Sequence, residues 1–417
     1  MVATLMMLLA LPAATLEFGG TVESETSYGE APNRDDLEHA DRVILYGRGG
    51  DPERADLLIR GSYEINLEEL YQFDLRTLRL AGTIPLSDRV DGAFSYRLGR
   101  FQLTDEAGFL LAQRVDGGSA ELDTAGMRLR GAVGYTGLLF AETSALYVTR
   151  TDYANREDGE TFGPGKVLAL AELGFPELAR RQNLTLYGLG QFDTRSQLEP
   201  GEVRLHSYYP GISLNGPVGG GFFYKLAVAA GLGSVEINNA GSSETTKLRG
   251  FGGSLSVNYY PAAVDWVDLE VGLNGGSGDE NAGSYFDRAG EDELNMFLPL
   301  RNPGGGRVLS PALANLAVPR LELNLRPFSS SPSRFARNIG VSLSGFGYFR
   351  PTTGGTAVTG SGGSAEYLGW ETNGSVALRP FTDLGITIYG GLFQPNTASD
   401  SPWSSDEELR WEAGVDA

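Results

Sequence analysis

Apolar and polar residues alternate with a period of two in many segments, most regularly between residues 384 and 392. There Leu384, Ile386 and Ile388 fall on one face of an extended backbone, while Thr387 and Tyr389 fall on the other. This period predicts a β-strand, because successive side chains of a strand point to opposite faces of its sheet. The pattern alone leaves open whether the apolar face touches a protein core or membrane hydrocarbon.

The same alternation recurs along the chain in segments such as 57–67, 127–135, 222–232 and 267–273. A tilted strand needs about 9–11 residues to cross a bilayer, whereas strands of globular proteins are typically about half as long. No segment approaches the run of about 18 apolar residues that a membrane-spanning helix requires. The sequence therefore predicts that any membrane crossing is made by strands.

From residue 139 onward, the predicted connections alternate between long and short. Long loops are predicted at 139–166, 194–202, 234–246, 275–312, 351–365 and 395–407. Short turns are predicted at 176–182, 215–221, 261–264 and 380–383, with a medium link at 327–338. A soluble sandwich has no reason to keep this alternation, whereas a barrel of the outer-membrane type has short turns at one end and long loops at the other.

Counting these segments predicts an all-β fold: a membrane-spanning, antiparallel, up-and-down β-barrel of 18 strands. The N-terminal strands are predicted at 15–27, 54–67, 70–81, 92–103, 108–115, 118–123 and 127–138, and eleven more follow from residue 167. The hairpin at Asp116 and Gly117 is the weakest of these, because Asp-Gly is a good turn signal but the flanking strands are short. If that pair merges and another N-terminal strand fails, the alternative is 16 strands.

Composition removes several classes of function. The formal net charge of -20 argues against a nucleic-acid partner, because phosphate binding needs a clustered basic surface. The chain has no Cys, so it forms no disulfide, thiolate nucleophile or Cys-ligated metal site. The acidic residues concentrate in the predicted loops, where keeping the loops solvated is the simplest role and steering or binding cations is the alternative.

The first residues predict a secretory signal. An apolar run from Val2 to Leu11 precedes small residues at Ala13 and Ala14, as in a signal segment with its cleavage site. No Lys or Arg precedes the run, so a buried N-terminal strand or helix is the alternative. We expect residues 1–14 to be a cleaved, signal-like segment and residues 15–417 to form a single transmembrane barrel.

Four segments carry a family resemblance: "SYRLGRF" at 95–101, "VDGGSAEL" at 115–122, "GYTGLL" at 134–139 and "YLGWETNGSVALRPFTDLG" from 367. With them the chain resembles bacterial outer-membrane porins, particularly the large single-chain barrels of the alginate-export-like type. The resemblance implies a place in the bacterial outer membrane, contact with its lipid and insertion by the barrel assembly machinery, and it is compatible with a homo-oligomer. Such porins end in a strand whose last residue is aromatic, whereas this chain stops at "LRWEAGVDA", so the last strand is expected to be truncated.

Charged residues on the polar faces of the predicted strands would line the barrel interior, because a lipid-facing Arg or Lys at the bilayer midplane costs about 2–4 kcal/mol. These pore-lining candidates are Arg60, Glu64, Arg128, Arg130, Lys225, Asp268 and Glu270. Arg128 and Arg130 share one face, which is the arrangement of a basic stripe that favours anionic solutes. The simpler interpretation is that they pair with interior carboxylates such as Glu64 and brace the wall.

An enzymatic function is not predicted. The chain has only 2 His, and His206 is adjacent to Ser207 on a predicted strand, so the two side chains point to opposite faces and cannot pair as base and nucleophile. The Gly-rich segments at 216–221 and 304–306 lack the Lys-Ser/Thr and the helix of a phosphate-binding loop. No cofactor and no metal are predicted.

The leading hypothesis is a porin or channel for the passive diffusion of small hydrophilic or ionic solutes. A barrel of this size leaves an aqueous lumen unless loops fill it. The loop at 275–312, with "NMFLPLRNPGGG", is the best candidate for an inward-folded constriction. Two alternatives stay open: a non-conducting surface barrel that acts as an adhesin or structural protein, and a secreted soluble β-protein.

Overall fold

In the computed structural model, 18 antiparallel strands form the wall of one closed barrel. Each wall strand pairs with the wall strand that follows it, and the first and last strands, β1 and β19, pair with each other. The sheet therefore has no free edge. The predicted fold class and strand number are confirmed.

The structure describes residues 16–30, 37–51, 54–67, 72–86, 91–139, 165–196, 198, 200–239, 242–264, 266–282, 293–301, 305–356, 362–404 and 407–417. The strands are β1 (Leu16–Glu30), β2 (Leu37–Asp51), β3 (Ala55–Asn66), β4 (Gln72–Pro85), β5 (Gly92–Thr104), β6 (Ala112–Thr124), β7 (Met127–Tyr135), β8 (Lys166–Ala179), β9 (Gln182–Asp193), β10 (Val203–Gly219), β11 (Phe222–Asn239), β12 (Ser242–Tyr259), β13 (Val267–Gly276), β14 (Glu293–Leu294), β15 (Leu316–Leu325), β16 (Gly340–Phe349), β17 (Tyr367–Phe381), β18 (Leu384–Pro395) and β19 (Arg410–Asp416). A short helix, α1 (Arg334–Arg337), follows β15. The predicted signal segment, residues 1–14, lies outside the described residues. Across the described ranges, no helix is both long enough and apolar enough to span a bilayer.

The connections separate into two ends of the barrel. At the short-turn end lie two-residue turns such as 125–126, 180–181, 220–221 and 382–383, and β1 starts and β19 ends there. At the long-loop end lie the longest connections, 136–165 and 277–315. One predicted loop, 234–246, is wrong: β11 runs to Asn239 and β12 starts at Ser242, so only two residues connect them. These two strands have 18 residues each and form a tall part of the wall.

The two faces of the wall differ in chemistry as the alternation predicts. Large apolar side chains are exposed on the outer face of strand after strand, for example Ile388 at 50% and Val271 at 53%. A continuous exposed apolar band of this kind is the lipid-facing surface of a membrane barrel, because a soluble sandwich would bury it against a second layer. Charged and small side chains occupy the inner face.

The strand number agrees although two N-terminal predictions are wrong. The sequence pattern misses β2, because only residues 43–46 of it are continuously apolar and charged residues surround them. Conversely, β6 continues through Asp116 and Gly117, where the sequence predicts a hairpin turn. Gly117 lies opposite Gly134 of β7, and a Cβ on Gly117 would collide with the carbonyl oxygen of Val133. This glycine therefore serves the close approach of two strands, and the missed strand and the divided strand cancel in the count.

Candidate functional site in the barrel interior

The connection 277–315, which we call the inward loop, folds into the barrel. Residues 296–300 are all buried, and β14, just before this stretch, pairs in parallel with Lys247 and Leu248 of β12. β14 is therefore an interior strand and not a part of the wall. The predicted inward folding is confirmed for the described part of the loop, while residues 283–292 and 302–304 lie outside that part.

Glycines on the inner face of the wall make room for the inward loop. A Cβ on Gly250 of β12 would lie 2.7 Å from the backbone of Met296, and a Cβ on Gly252 would collide with the Phe297 ring. Tyr209 of β10 adds a polar contact, because its hydroxyl donates to the Leu298 carbonyl at 2.6 Å. We call the inner face of β10–β13 the docking wall, because the loop backbone approaches it where side chains are absent.

A second loop, 105–111, meets the inward loop inside the barrel. The Asp105 carboxylate accepts backbone N–H groups of Phe109, Leu110 and Leu111 at 2.7–3.1 Å, which holds this loop in a tight turn. The Phe109 and Phe297 rings stack with centroids 6.0 Å apart. These two loops share one apolar cluster and narrow the interior at the long-loop end.

The far end of the inward loop is fastened to β17. The Glu371 carboxylate, 1% exposed, accepts the backbone N–H groups of Val308 at 2.9 Å and Leu309 at 3.0 Å. The Tyr348 hydroxyl lies 2.9 Å from the same carboxylate and accepts the Gly306 N–H. A charged acceptor with several donors is stronger than a neutral hydrogen bond, so Glu371 is a latch for the loop.

Arginines occupy the inner face of β2–β7, which we call the arginine wall. They are Arg42, Arg48, Arg60, Arg79, Arg97, Arg128 and Arg130. Arg42 pairs with Glu64 at 2.6 Å, and Arg48 and Arg79 both reach the carboxylate of Asp56. Among the described residues, Arg60 and Arg97 form no ion pair.

The candidates predicted from the sequence spread over the inner face and do not form one cluster. Arg60 and Glu64 lie on β3, Arg128 and Arg130 on β7, Lys225 on β11, and Asp268 and Glu270 on β13. Glu270 pairs with Arg320, whereas Lys225 and Asp268 form no ion pair within the described ranges.

Arg128 and Arg130 of β7 form ion pairs with interior carboxylates. This fits the interpretation that they brace the wall better than the interpretation that they form a basic stripe for anionic solutes. Arg130 pairs with Glu172 at 3.0 Å, and Arg128 lies 3.4–3.7 Å from the carboxylates of Glu106, Glu121 and Asp123. The prediction of Glu64 as a partner is wrong. Glu64 lies opposite Arg42 of the neighbouring strand and forms its ion pair with that residue. Within the described part of the chain, the arginines of this wall that form no ion pair are instead Arg60 and Arg97.

Sequence reasoning missed the residues that hold the inward loop. Tyr209, Tyr348 and Glu371 lie on inner faces, which the alternation indicates, but their partners are backbone groups of a distant loop. A lone carboxylate between Gly369 and Asn373 on one strand face is the signal in the sequence that could mark Glu371. His206 and Ser207 are successive residues of β10, and their side chains point to opposite faces as predicted.

No protein-family model and no curated protein matches the chain. Solved structures of the same architecture come from Pseudomonas aeruginosa. OccK9 (OpdG) has a TM-score of 0.57 and 15% identity, with 97% of each chain covered. OccK2 (OpdF) in complex with glucuronate has a TM-score of 0.56 and 13% identity, with 96% of this chain and 97% of that chain covered. OpdK with vanillate has a TM-score of 0.55 and 13% identity, with 97% and 98% covered. At these identities the likeness concerns the fold, and the alginate-export-like subfamily stays a prediction.

Proposed function

We propose that the chain is a bacterial outer-membrane channel for the passive diffusion of small hydrophilic solutes, and that it favours solutes carrying a carboxylate. The observation that carries the proposal is the arginine wall beside an interior narrowed by the inward loop. Arg60 and Arg97 of this wall form no ion pair with a described residue, and we assign the binding of the solute carboxylate to their guanidinium groups. Guanidinium groups bind carboxylates through two parallel hydrogen bonds, which gives orientation as well as affinity.

Carboxylates on the opposite side of the interior support the same proposal. Asp268 of β13 and Glu322 of β15 lie there on the inner face, and Asp268 forms no ion pair with a described residue. A passage with basic groups on one side and acidic groups on the other carries a transverse field. We expect that field to turn the carboxylate of a passing solute toward the arginine wall.

The solved structures of similar fold also favour the proposal of a channel for carboxylate-bearing solutes. They are outer-membrane porins, and two of them were determined with glucuronate or vanillate, both of which carry a carboxylate. An outer-membrane location follows from the proposal, and so does insertion by the barrel assembly machinery.

Planar-bilayer recording of the purified barrel tests the proposal. We expect discrete conductance steps, a reversal potential in a KCl gradient that indicates anion preference, and a reduction of the current by added glucuronate. Cation preference would contradict the assignment of the solute class. Absence of steps, both before and after deletion of the inward loop, would contradict conduction and favour the non-conducting adhesin or structural barrel.

A further inference from the structure

A cavity of about 610 Å³ lies at the short-turn end of the barrel. The link between β15 and β16 carries α1, which packs beside the turn between β17 and β18. The cavity lies between them and is lined by Arg334, Phe335, Arg337, Asn338, Arg379, Pro380, Phe381 and Thr382. It lies at the opposite end of the barrel from the inward loop.

The lining is positively charged. Arg334, Arg337 and Arg379 are exposed, and none of them forms an ion pair within the part of the chain that the structure describes. Arg334 donates to the Thr382 hydroxyl at 3.3 Å, and the carboxylate of Asp383 does not line the cavity. In a chain of net charge -20, in which most arginines of the wall are paired, such a cluster is the arrangement of an anion site.

Exposed aromatic rings place the cavity at the edge of the outer face. Phe381 is 71% exposed and pairs with Leu384, which belongs to the apolar outer face of β18. Phe335, on α1, is 44% exposed, and Phe328, earlier in the same link, is 50% exposed. Phenyl rings beside cationic groups suit the boundary between hydrocarbon and headgroups, where apolar tails and phosphates are both within reach.

We propose that this cavity binds the phosphate of an anionic phospholipid in the membrane leaflet at the short-turn end. The arginines bind the phosphodiester, and Phe335 and Phe381 contact the adjoining glycerol and acyl carbons. Guanidinium forks match phosphate geometry, and the volume falls in the range of small-molecule sites. The inference rests on the membrane location in the proposed function but not on conduction.

Native mass spectrometry of the barrel, purified in detergent and equilibrated with equal amounts of phosphatidylglycerol and phosphatidylethanolamine, tests the proposal. The unmodified chain should retain phosphatidylglycerol in preference. The variant Arg334→Gln/Arg337→Gln/Arg379→Gln should lose this retention by about fivefold for each arginine removed. The matched control, Arg180→Gln/Arg181→Gln, removes charge from another turn at the same end, which does not line the cavity, and should retain phosphatidylglycerol as the unmodified chain does.

Equal retention by the cavity variant and the unmodified chain would overturn the proposal, as would displacement of the lipid by an equimolar amount of glycerol phosphate, which lacks acyl chains. Heat-modifiable migration on gels verifies that each variant is folded. Should the Gln variant not fold, the variant Arg334→Lys/Arg337→Lys/Arg379→Lys keeps the charge without the fork and should retain less phosphatidylglycerol than the unmodified chain. Unchanged conductance steps in the cavity variant would separate this site from the channel itself.

Discussion

The arginine wall and the docking wall hold the barrel interior in opposite ways. On β2–β7, long charged side chains reach across the inner face and pair with carboxylates, as Arg42 does with Glu64. On β10–β13, glycines such as Gly250 leave the backbone bare, and the inward loop lies directly against it. The difference teaches that charge lines one side of the passage while missing side chains make room on the other for the element that narrows it.

Removing the inward loop should have the largest effect on this comparison. Replacement of residues 279–313 by a short Gly-Ser linker removes the inward loop's part of the apolar cluster and leaves the arginine wall in place. We expect the single-channel conductance to rise several-fold, because the interior at the long-loop end is then wider. An unchanged conductance in planar bilayers would show that the narrowing lies elsewhere.

The substitution Gly250→Val tests the docking wall alone. A Cβ at position 250 would lie 2.7 Å from the backbone of Met296, which is too close for van der Waals contact. The inward loop must therefore move away from the docking wall. We expect a larger conductance with frequent fluctuations, though a smaller increase than the deletion gives. The matched control is Gly188→Val on β9, where a Cβ meets nothing within 4 Å, and it should conduct as the unmodified chain does.

Two substitutions on the arginine wall should separate residues that stabilise the wall from residues that determine which ions pass. Arg130→Met leaves Glu172 without its partner in a site where these side chains are only 12% and 5% exposed, so we expect a loss of about 3 kcal/mol in the free energy of unfolding. Arg97→Gln breaks no ion pair with a described residue and should change that free energy by less than about 0.5 kcal/mol.

Urea unfolding in lipid vesicles measures the stabilities of both variants, and the reversal potential measures their selectivity. Arg97→Gln should lower the anion preference more than Arg130→Met does. The opposite ranking would mean that Arg130 determines the ion selectivity and that Arg97 does not.

The substitution Glu371→Gln should have the smallest effect on the channel current. The amide keeps one acceptor oxygen and replaces the other with an NH2 group, so the N–H of either Val308 or Leu309 loses its acceptor, at a cost of about 1–3 kcal/mol. We expect more frequent brief fluctuations of the open current without a change in its mean. Glu322→Gln is the control, because it neutralises an inner-face carboxylate of β15 that accepts from Asn324 and not from the loop.

The wall could be predicted from the sequence because lipid outside and water inside impose a period of two on every strand. The predicted strand boundaries were wrong where a glycine has a structural role that the alternation of apolar and polar residues does not indicate. Gly117 follows Asp116 and so resembles a turn, but it stands in mid-strand for the approach of β7. The sequence pattern did not predict β2, because the continuous apolar segment of this strand is short.

The inner face of the site could be predicted, but the partners within it could not. Alternation places Arg130 and Glu371 inside, and nothing in their own strands indicates that one meets Glu172 and the other meets Val308. Those contacts depend on how adjoining strands align in register and how a long loop folds back. Such long-range information is absent from a single strand's pattern.

Thiol labelling tests most directly whether water fills the inside of this wall and hydrocarbon covers its outside. The chain has no Cys, so Lys225→Cys on the inner face of β11 and Val228→Cys on its outer face each introduce one thiol. In lipid vesicles, a charged, membrane-impermeant thiol reagent should modify residue 225 rapidly and leave residue 228 unmodified. Rapid modification of residue 228, or protection of residue 225 by the fold, would contradict a membrane barrel with an aqueous interior.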